Sequence, residues 1–410
     1  MLNNFENFNF ENDSYSKLSK IITKKINKST KKKHGIYFTP LETILLNINI
    51  LKKYITIWDN INILEPSCGT CQYIIELNKL GSNITGIEYV KDIYDSIKNI
   101  ETNNIKIIND SFISYKTNKY DLIIGNPPYY VMKKGDVNSD YYKYFNGRPN
   151  IFILFIIKSL KSLNKNGILS FILPKNFINC LYYEKTRKYI NSNFQILEII
   201  ELNDNYLETK QETILFIVKK IDNQINNKQY ILNINDNVIF NFPENIIKIN
   251  KLFDKSISLK KMGFKVSVGT VVWNQKKDIL TDDSCQTRLI YNSDICNKKL
   301  IMKKYKSVSK KNFIKLEGNN EPLLVINRGY GKGNYTFEYC LININKPYLI
   351  ENHLICIKPI KKMKNNELIQ IYKKIINSLN NKKTLEFIRL YFGNNAINTT
   401  ELNYILPFYI

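Results

Sequence analysis

Short apolar runs that end in a polar residue alternate with helical patterns through the first half of the chain. Helices are predicted over 41–54, 72–80 and 91–100, and strands are predicted at Ile61–Leu64, Ile84–Ile87, Ile105–Ile108 and Asp121–Ile124. Short runs without polar alternation are typical of strands buried on both faces, and strict alternation with helices indicates parallel crossovers. The pattern therefore predicts a doubly wound, mostly parallel α/β sheet.

The alternation continues to about residue 218 and then stops. A helix is predicted over 150–163, and strands are predicted at Ile196–Leu202 and Thr213–Val218. These last two strands are too close for a helical crossover, so we expect an antiparallel hairpin and an antiparallel last strand. An Asn-rich stretch around 221–245 marks a boundary. We predict one domain over 34–240 and a mixed α+β domain over 241–410.

Charge adds a candidate partner. The 410 residues contain 60 Lys and Arg against 36 Asp and Glu, a formal net charge of +24. Such an excess suggests a polyanion, although the AT-rich codons of Lys, Asn and Ile explain part of it. Residues 1–33 form a basic arm, with eight lysines and no acid between Lys17 and Lys33. We interpret this arm as solvated and partly disordered, or alternatively as a segment that contacts phosphates.

Several classes of protein fit the chain poorly. Seven scattered cysteines make no disulfide framework and favour a reducing compartment. Cys68 and Cys71 have the spacing of half a zinc site, but no second pair and only two histidines occur, so no metal is expected. The apolar run Ile151–Ile157 is too short to span a bilayer, and the N-terminus is no signal peptide. We expect a soluble, cytoplasmic protein without a membrane partner.

One turn carries the most specific chemistry. Gly125-Asn126-Pro127-Pro128-Tyr129 follows a predicted buried strand directly. Pro127 biases Asn126 toward an extended conformation, which holds an amide at the carboxyl end of a strand, where open α/β sheets bind ligands. An amide, a carbonyl fixed by proline and the Tyr129 ring together suit a planar amine.

Acidic residues end the earlier strands. Glu65, Glu88 and Asp110 each follow a predicted strand, and together they would line one crevice with Asn126. Glu88 lies about twenty residues past the first loop, the spacing at which a carboxylate holds a ribose diol. Backbone N–H groups of the loop from Ser67 to Thr70 would come close to the same ligand. Taken singly, an acid after a strand often only caps the next helix.

The order of these motifs resembles a known family. Phe38-Thr39-Pro40, Glu65 to Gly69, Glu88, Asp110 and the Asn126 turn are similar to the motifs of S-adenosylmethionine-dependent adenine-N6 DNA methyltransferases, specifically the gamma class of type II restriction–modification systems. The likeness covers residues 34–220 by motif and the rest by architecture. It implies a Rossmann-like class I methyltransferase sheet, a C-terminal target-recognition domain and double-stranded DNA as partner. A separate cognate restriction endonuclease is a further candidate partner.

The resemblance also implies a role for each matching residue. Thr39 would meet the methionine carboxylate close to Glu65, Glu88 would bind the ribose hydroxyls, and Asp110 would bind the adenine of S-adenosylmethionine. The predicted cofactor site is Tyr37, Thr39, Pro40, Glu65, Ser67, Gly69, Glu88, Asp110, Phe112 and Asn126. The predicted catalytic residues are Asn126, Pro127, Pro128 and Tyr129, with Tyr129 and Tyr206 stacking on a flipped base.

Two positions depart from the family pattern. Cys71 stands where the family has a second loop glycine, which is tolerable only if the position needs no positive φ. Ser111 separates Asp110 from Phe112, whereas the family aromatic often follows the acid directly.

Other functions remain open at this point. An RNA adenine-N6 methyltransferase or a protein-glutamine methyltransferase would share the Asn-Pro-Pro-Tyr turn, and a non-catalytic DNA-binding specificity module is the alternative outside enzymes. A cytosine-C5 methyltransferase would need a Pro-Cys nucleophile, and the chain contains no Pro-Cys dipeptide. In the C-terminal half, Arg328 and Lys332 in a glycine-rich stretch are DNA-contact candidates, or they lie in a simple hairpin turn. Trp273 is either on the recognition face or in the core.

Overall fold

The computed structural model describes residues 8, 13–202, 211–222, 225–305, 309–327, 338–392 and 397–410. The chain divides into two compact units. The first unit comprises Met1–Leu232 and Asn237–Pro243, and the second comprises Asn233–Asp236 and Glu244–Ile410.

A seven-stranded sheet forms the centre of the first unit in the described part of the chain, with the order β3-β2-β1-β4-β5-β7-β6. Its strands are β1 (Asn62–Glu65), β2 (Asn83–Glu88), β3 (Ile105–Asn109), β4 (Tyr120–Gly125), β5 (Leu163–Pro174), β6 (Gln195–Leu202) and β7 (Thr213–Lys219). The neighbouring pairs from β3 to β5 are parallel, and β7 runs antiparallel to both β5 and β6. The predicted α/β class and the antiparallel last strand are confirmed.

Helices cover the sheet, and the apolar pattern explains why. Ile123 faces one buried cluster with Phe152 and Phe216, whereas Leu122 and Ile124 face another with Ile74. Strands buried on both faces need apolar side chains in succession. The helices of this unit are α1 (Lys17–Lys25), α2 (Lys28–His34), α3 (Leu41–Leu51), α4 (Gln72–Asn78), α5 (Lys91–Ile97), α6 (Ile151–Lys161) and α7 (Glu184–Asn193).

The basic N-terminal segment is folded where the structure describes it. Helix α1 buries Leu18 and Ile22, which are four residues apart on one face. The Ser19 hydroxyl lies 2.7 Å from that of Thr70, in the loop after β1. The interpretation of residues 13–33 as a solvated, partly disordered arm is therefore wrong. The apolar stripe is too short to stand out among the lysines of the sequence.

The second unit is mixed, as predicted. In its described residues, strands β10 (Phe264–Val268), β19 (Leu354–Pro359), β16 (Leu323–Asn327) and β17 (Tyr339–Ile342) form one sheet, and β11 (Leu280–Thr281), β15 (Phe313–Ile314), β12 (Thr287–Ile290) and β18 (Tyr348–Ile350) form another. The remaining elements of the chain are β8 (Ile231–Ile234), β9 (Asn237–Phe240), β13 (Ile295–Cys296), β14 (Lys299–Leu300), α8 (Pro243–Phe253), α9 (Asn365–Leu379), α10 (Lys382–Tyr391) and α11 (Thr399–Tyr404).

The apolar pattern of residues 265–273 predicts a strand, and the strand in the structure is shorter. Strand β10 ends at Val268, and Trp273 begins a short 3-10 turn, Trp273–Gln275. Among the described residues, no helix has the length and apolar character needed to cross a membrane.

Candidate active site

The strand order brings the predicted residues to one edge of the sheet. Strand β1 lies between β2 and β4, so Glu65, Glu88 and Asn126 end three adjacent parallel strands. The carboxyl ends of parallel strands are where ligands bind in open α/β sheets.

The Asn126 turn has the rigid geometry that its sequence predicts. Gly125 has a φ of 151°, and a Cβ atom there would lie 3.4 Å from the Cγ atom of Glu65. Glycine therefore allows the turn to approach the end of β1 closely. The Asn126 side chain donates from Nδ2 to the Thr39 hydroxyl at 3.3 Å, and the Ser67 hydroxyl donates to its main-chain carbonyl at 3.2 Å.

Tyr129 contacts the same amide through its hydroxyl. The hydroxyl oxygen lies 2.6 Å from Asn126 Oδ1 and 2.7 Å from the carbonyl oxygen of Ile172, and its one proton serves either acceptor. The Tyr129 ring meets the Phe152 ring edge-on, with centroids 6.0 Å apart. The amide of Asn126 is thus held from both ends, with Nδ2 at Thr39 and Oδ1 at Tyr129.

The segment before α3 packs against this turn. A Cβ atom on Gly35 would lie 2.8 Å from the backbone nitrogen of Tyr129, so the segment that follows α2 directly contacts the turn. Helix α3 begins at Leu41 with Pro40 as its N-cap residue. The sequence of Thr39 and Pro40 is typical of an N-cap followed by the first helical residue, and this prediction is wrong by one position. The Thr39 hydroxyl accepts from Asn126 instead of capping the helix.

Two carboxylates are buried side by side at the edge. Glu88 accepts from the N–H groups of Gly69 at 3.0 Å and Val90 at 2.7 Å, and burial raises its pKa to about 7. Glu65 is 3% exposed, and its Oε2 atom has no hydrogen-bond partner. Burial, and then the charge of Glu88, raise the pKa of Glu65 well above its usual range. Buried anions without a cation are costly, so this edge suits a cationic ligand.

The loop after β1 is fixed by its own backbone bonds. The Cys68 N–H donates to the Ile87 carbonyl at 2.9 Å, and Gly69 bonds to Glu88, so these two N–H groups already have partners in the protein. Cys71 has φ 61° and ψ 25°, so a cysteine occupies the left-handed conformation that the family fills with glycine. That conformation costs a non-glycine residue about 1–2 kcal/mol. The condition that this position needs no positive φ is not met.

The third acid is more open. Asp110 is exposed and accepts from the Ser111 N–H at 2.6 Å. Phe112 is 2% exposed and packs on Phe155, with ring centroids 5.0 Å apart and the Lys158 ammonium 5.1 Å from its centre. Phe112 therefore contributes mainly to the core, and its contact with cofactor adenine stays a prediction.

Two residues at this edge, Tyr89 and Asn109, were not predicted from the sequence. Tyr89, directly after Glu88, is 61% exposed beside the ring of His34 at 5.9 Å. Asn109 donates from Nδ2 to the Glu88 carbonyl at 2.8 Å and so ties the ends of β2 and β3 together. The sequence signal for Tyr89 is an aromatic residue directly after the acid that ends a strand, a pattern that Glu88 shows and Asp110 does not.

The remaining predicted site residues divide into two groups. Tyr37 is half-buried in the segment that also carries Thr39, and Pro127 and Pro128 lie in the Asn126 turn. Tyr206, Arg328 and Lys332 lie outside the described residues.

Known proteins match the part of the chain that forms this edge of the sheet. Residues 43–207 match the model of the Eco57I restriction-modification methylase family. The chain is 32% identical over 213 residues to the modification methylase CviBIII of Paramecium bursaria Chlorella virus NC1A, with 50% of this chain and 55% of that protein covered. It is 27% identical to the type II methyltransferase M.CvrRI of Paramecium bursaria Chlorella virus XZ-6E, over 82% of this chain and 85% of that one.

A solved structure resembles most of this chain in fold. The DrdV–DNA complex, determined by cryo-EM, covers 93% of this chain with a TM-score of 0.54, at 12% sequence identity and over 57% of its own length. The chain spans about half of the length of CviBIII. The sheet of the first unit has the mostly parallel strands and the antiparallel last strand that were predicted for a class I methyltransferase. The matching family and both relatives are methylases by description, which agrees with the predicted S-adenosylmethionine cofactor.

Proposed function

We propose that this protein transfers a methyl group from S-adenosylmethionine to the N6 amino group of an adenine flipped out of double-stranded DNA. The observation that carries the proposal is the Asn126 amide, which Thr39 and Tyr129 hold at the end of β4 beside two buried carboxylates. Such an amide suits a planar amine better than it suits a thiol or a hydroxyl nucleophile.

The turn supplies what an adenine amine lacks. Its lone pair is delocalised into the ring and attacks poorly. Asn126 Oδ1 and the Pro127 carbonyl would accept the two amino hydrogens, which stabilises the positive charge that develops on nitrogen. Tyr129 would stack on the flipped ring and offset part of the cost of unstacking. The chain then needs no covalent intermediate, only correct positioning.

The buried carboxylates fit the cofactor. S-adenosylmethionine, when bound, supplies an electrophilic methyl on a sulfonium, and its net charge is positive at neutral pH. Glu65 has a buried oxygen without a hydrogen-bond partner among the described residues, and burial raises the pKa values of both Glu65 and Glu88. We assign the ribose hydroxyls to Glu88, the methionine end to Thr39 and Glu65, and the cofactor adenine to Asp110.

The N-terminal helices support DNA as the partner. Six lysines of α1 and α2 are exposed: Lys17, Lys24, Lys25, Lys28, Lys32 and Lys33. They make no hydrogen bond or ion pair to any described residue. Helix α2 leads directly into Gly35, which touches the backbone of Tyr129. These lysines would therefore contact phosphates near the flipped nucleotide. The type II names of the relatives favour DNA over RNA, and a separate cognate endonuclease stays a prediction.

Product analysis tests the proposal. Purified protein, methyl-labelled S-adenosylmethionine and mixed duplex DNA are incubated, and the DNA is digested to nucleosides for mass spectrometry. We expect N6-methyladenine, and long-read sequencing of the same DNA would give its sequence context. Label only in N4-methylcytosine, or label in RNA or protein but none in DNA, would contradict the proposal.

A further inference from the structure

A second concave site lies entirely within the second unit. A cavity of about 270 Å³ is lined by one lysine, aromatic rings and polar side chains: Trp273, Tyr291, Asn292, Ser293, Lys310, Glu351 and His353. We name it the Lys310 pocket. None of its residues has a role in the methyl transfer proposed above.

Aromatic rings surround the lysine. The Lys310 ammonium lies 4.1 Å from the centre of the Tyr305 ring, 4.2 Å from that of Tyr291 and 5.6 Å from that of Trp273. Cation–π attraction holds the charge in place, while burial lowers the pKa of Lys310. The ammonium makes no hydrogen bond or ion pair with any described residue. Its N–H donors are therefore available to a ligand.

Groups that accept hydrogen bonds line the same cavity as the lysine. Glu351 is 3% exposed and contacts the Nδ1 atom of His353. The Oδ1 atom of Asn292 is buried and has no hydrogen-bond partner in the part of the chain that the structure describes. A ligand with both acceptors and donors would satisfy these groups, whereas a bare phosphate would face the Glu351 carboxylate.

The walls of the pocket are built to stay in place. The buried Asp294 accepts from the Tyr291 backbone N–H at 3.0 Å and from the Tyr305 hydroxyl at 2.9 Å. These bonds fix the rings on which Lys310 rests. A pre-formed site loses less side-chain entropy when a ligand binds.

We propose that the Lys310 pocket receives one unstacked base of the DNA, an inference that rests on the DNA partner of the proposed function. The half-buried indole of Trp273 offers a stacking surface, Lys310 donates to a ring acceptor, and Glu351 or Asn292 accepts from an exocyclic amine. Residues 297–316 contain eight lysines and no acid, so the surrounding segment attracts the phosphates of the strand.

Tryptophan fluorescence provides a direct readout. The chain has two tryptophans, and Trp58 is 9% exposed in the first unit, so Trp273 is the more accessible reporter. Titration of the whole protein with dAMP, dCMP, dGMP or dTMP should quench this signal saturably with at least one nucleotide. Inorganic phosphate should not quench it. Trp273→Phe should remove the response because it removes the reporter, whereas Trp273→Ala should weaken duplex DNA binding by roughly 5- to 150-fold, the range for loss of one stacking ring.

A neighbouring lysine provides the matched control. Lys311 pairs with Asp282 at 2.8 Å and does not line the pocket. Lys310→Met should weaken nucleotide binding at least tenfold, whereas Lys311→Met should leave it unchanged, although both variants lose one charge. Unchanged circular dichroism and S-adenosylmethionine affinity would show that both variants fold.

The outcomes separate the two proposals. Quenching by phosphate alone, or equal effects of the two lysine variants, would overturn the base pocket even if DNA is methylated. Saturable nucleotide quenching that is lost in Trp273→Phe and Lys310→Met would support the pocket even if no DNA methylation is detected.

Discussion

The two candidate sites differ in the ionisable groups that lack an ion-pair partner among the described residues, which are two buried carboxyl groups in the first unit and a half-buried lysine in the second. At the sheet edge of the first unit, Glu65 and Glu88 are buried without a cation among the described residues. In the second unit, Lys310 lies among aromatic rings without an ion-pair partner in the described part of the chain. Both arrangements cost folding free energy, because each burial disfavours the charged form.

The difference between the units indicates what each one binds. Unpaired carboxylates suit a ligand that brings a positive charge, and a desolvated ammonium suits a ligand that brings lone pairs or negative charge. S-adenosylmethionine has the first property and DNA has the second. The electrostatics of the two sites therefore agree with the ligands proposed above, S-adenosylmethionine for the first unit and DNA for the second.

Substitution of Asn126 tests the first unit most severely. Asn126→Ala removes the acceptor for the target amine, and we expect kcat to fall by about 10²–10³-fold or more, the effect of removing one donor from an oxyanion hole. Cofactor affinity should be nearly unchanged, because the buried carboxylates remain. Single-turnover methylation of duplex DNA and calorimetry with S-adenosylmethionine measure the two quantities.

Two substitutions of Tyr129 separate the role of its ring from that of its hydroxyl. Tyr129→Phe keeps the ring and removes the hydroxyl that anchors the amide, whereas Tyr129→Ala removes both. If the ring stacks on the base, the alanine variant should be the slower of the two. A near wild-type rate for Asn126→Ala would show that the amide does not accept from the target amine.

The second largest effect is expected at Glu88. Glu88→Ala should weaken S-adenosylmethionine binding by roughly 10- to 150-fold, the range for hydrogen bonds to a charged group. Asp95→Ala, an exposed acid in α5 that pairs with Lys91 and Lys98, is the control and should bind normally. Calorimetry that shows equal affinity for wild type and Glu88→Ala would exclude the ribose role.

Much of the first unit was predictable from the sequence, because its signals are local. Apolar runs fixed the strands, and the residues that end them lie at one edge whatever the loops do. The αL backbone at Cys71 was not predictable, since its loop stabilises a conformation that cysteine avoids on its own. The Lys310 pocket was also hidden, because it joins residues from distant segments such as Trp273, Lys310 and Glu351. The sequence gives no period or spacing that connects them.

Substitution of lysines in α1 and α2 tests whether these helices contact DNA phosphates. A plot of log affinity against log salt concentration has a negative slope for a protein that binds DNA. Replacing Lys24, Lys25 and Lys28 together by Gln should reduce the magnitude of this slope by about 0.9 for each lysine that contacts a phosphate. Lys52, Lys53 and Lys116 are equally exposed in the same unit and form the matched triple control. Equal slopes for the two triple variants would mean that the N-terminal helices do not meet DNA.

The smallest predicted effect is a pH dependence. Ribose hydroxyls donate to an ionised carboxylate, and the pKa of Glu88 is raised to about 7 by burial. We therefore expect S-adenosylmethionine affinity to be constant above pH 7 and to fall by about tenfold for each unit below it. The Glu88→Gln variant should bind S-adenosylmethionine more weakly at high pH, and its affinity should no longer show the pH dependence that comes from Glu88.

Unfolding does not explain the same trend, because its sign is opposite. A carboxyl whose pKa is raised in the folded state holds a proton that the unfolded chain releases above its ordinary value of 4.5. Glu88 therefore stabilises the fold most at low pH, and its contribution declines as pH rises from 4.5 through 7. Affinity that falls below pH 7 while the free energy of unfolding holds or rises would identify the buried carboxylate as the titrating group. An unaltered pH profile in Glu88→Gln would assign the titration to another residue.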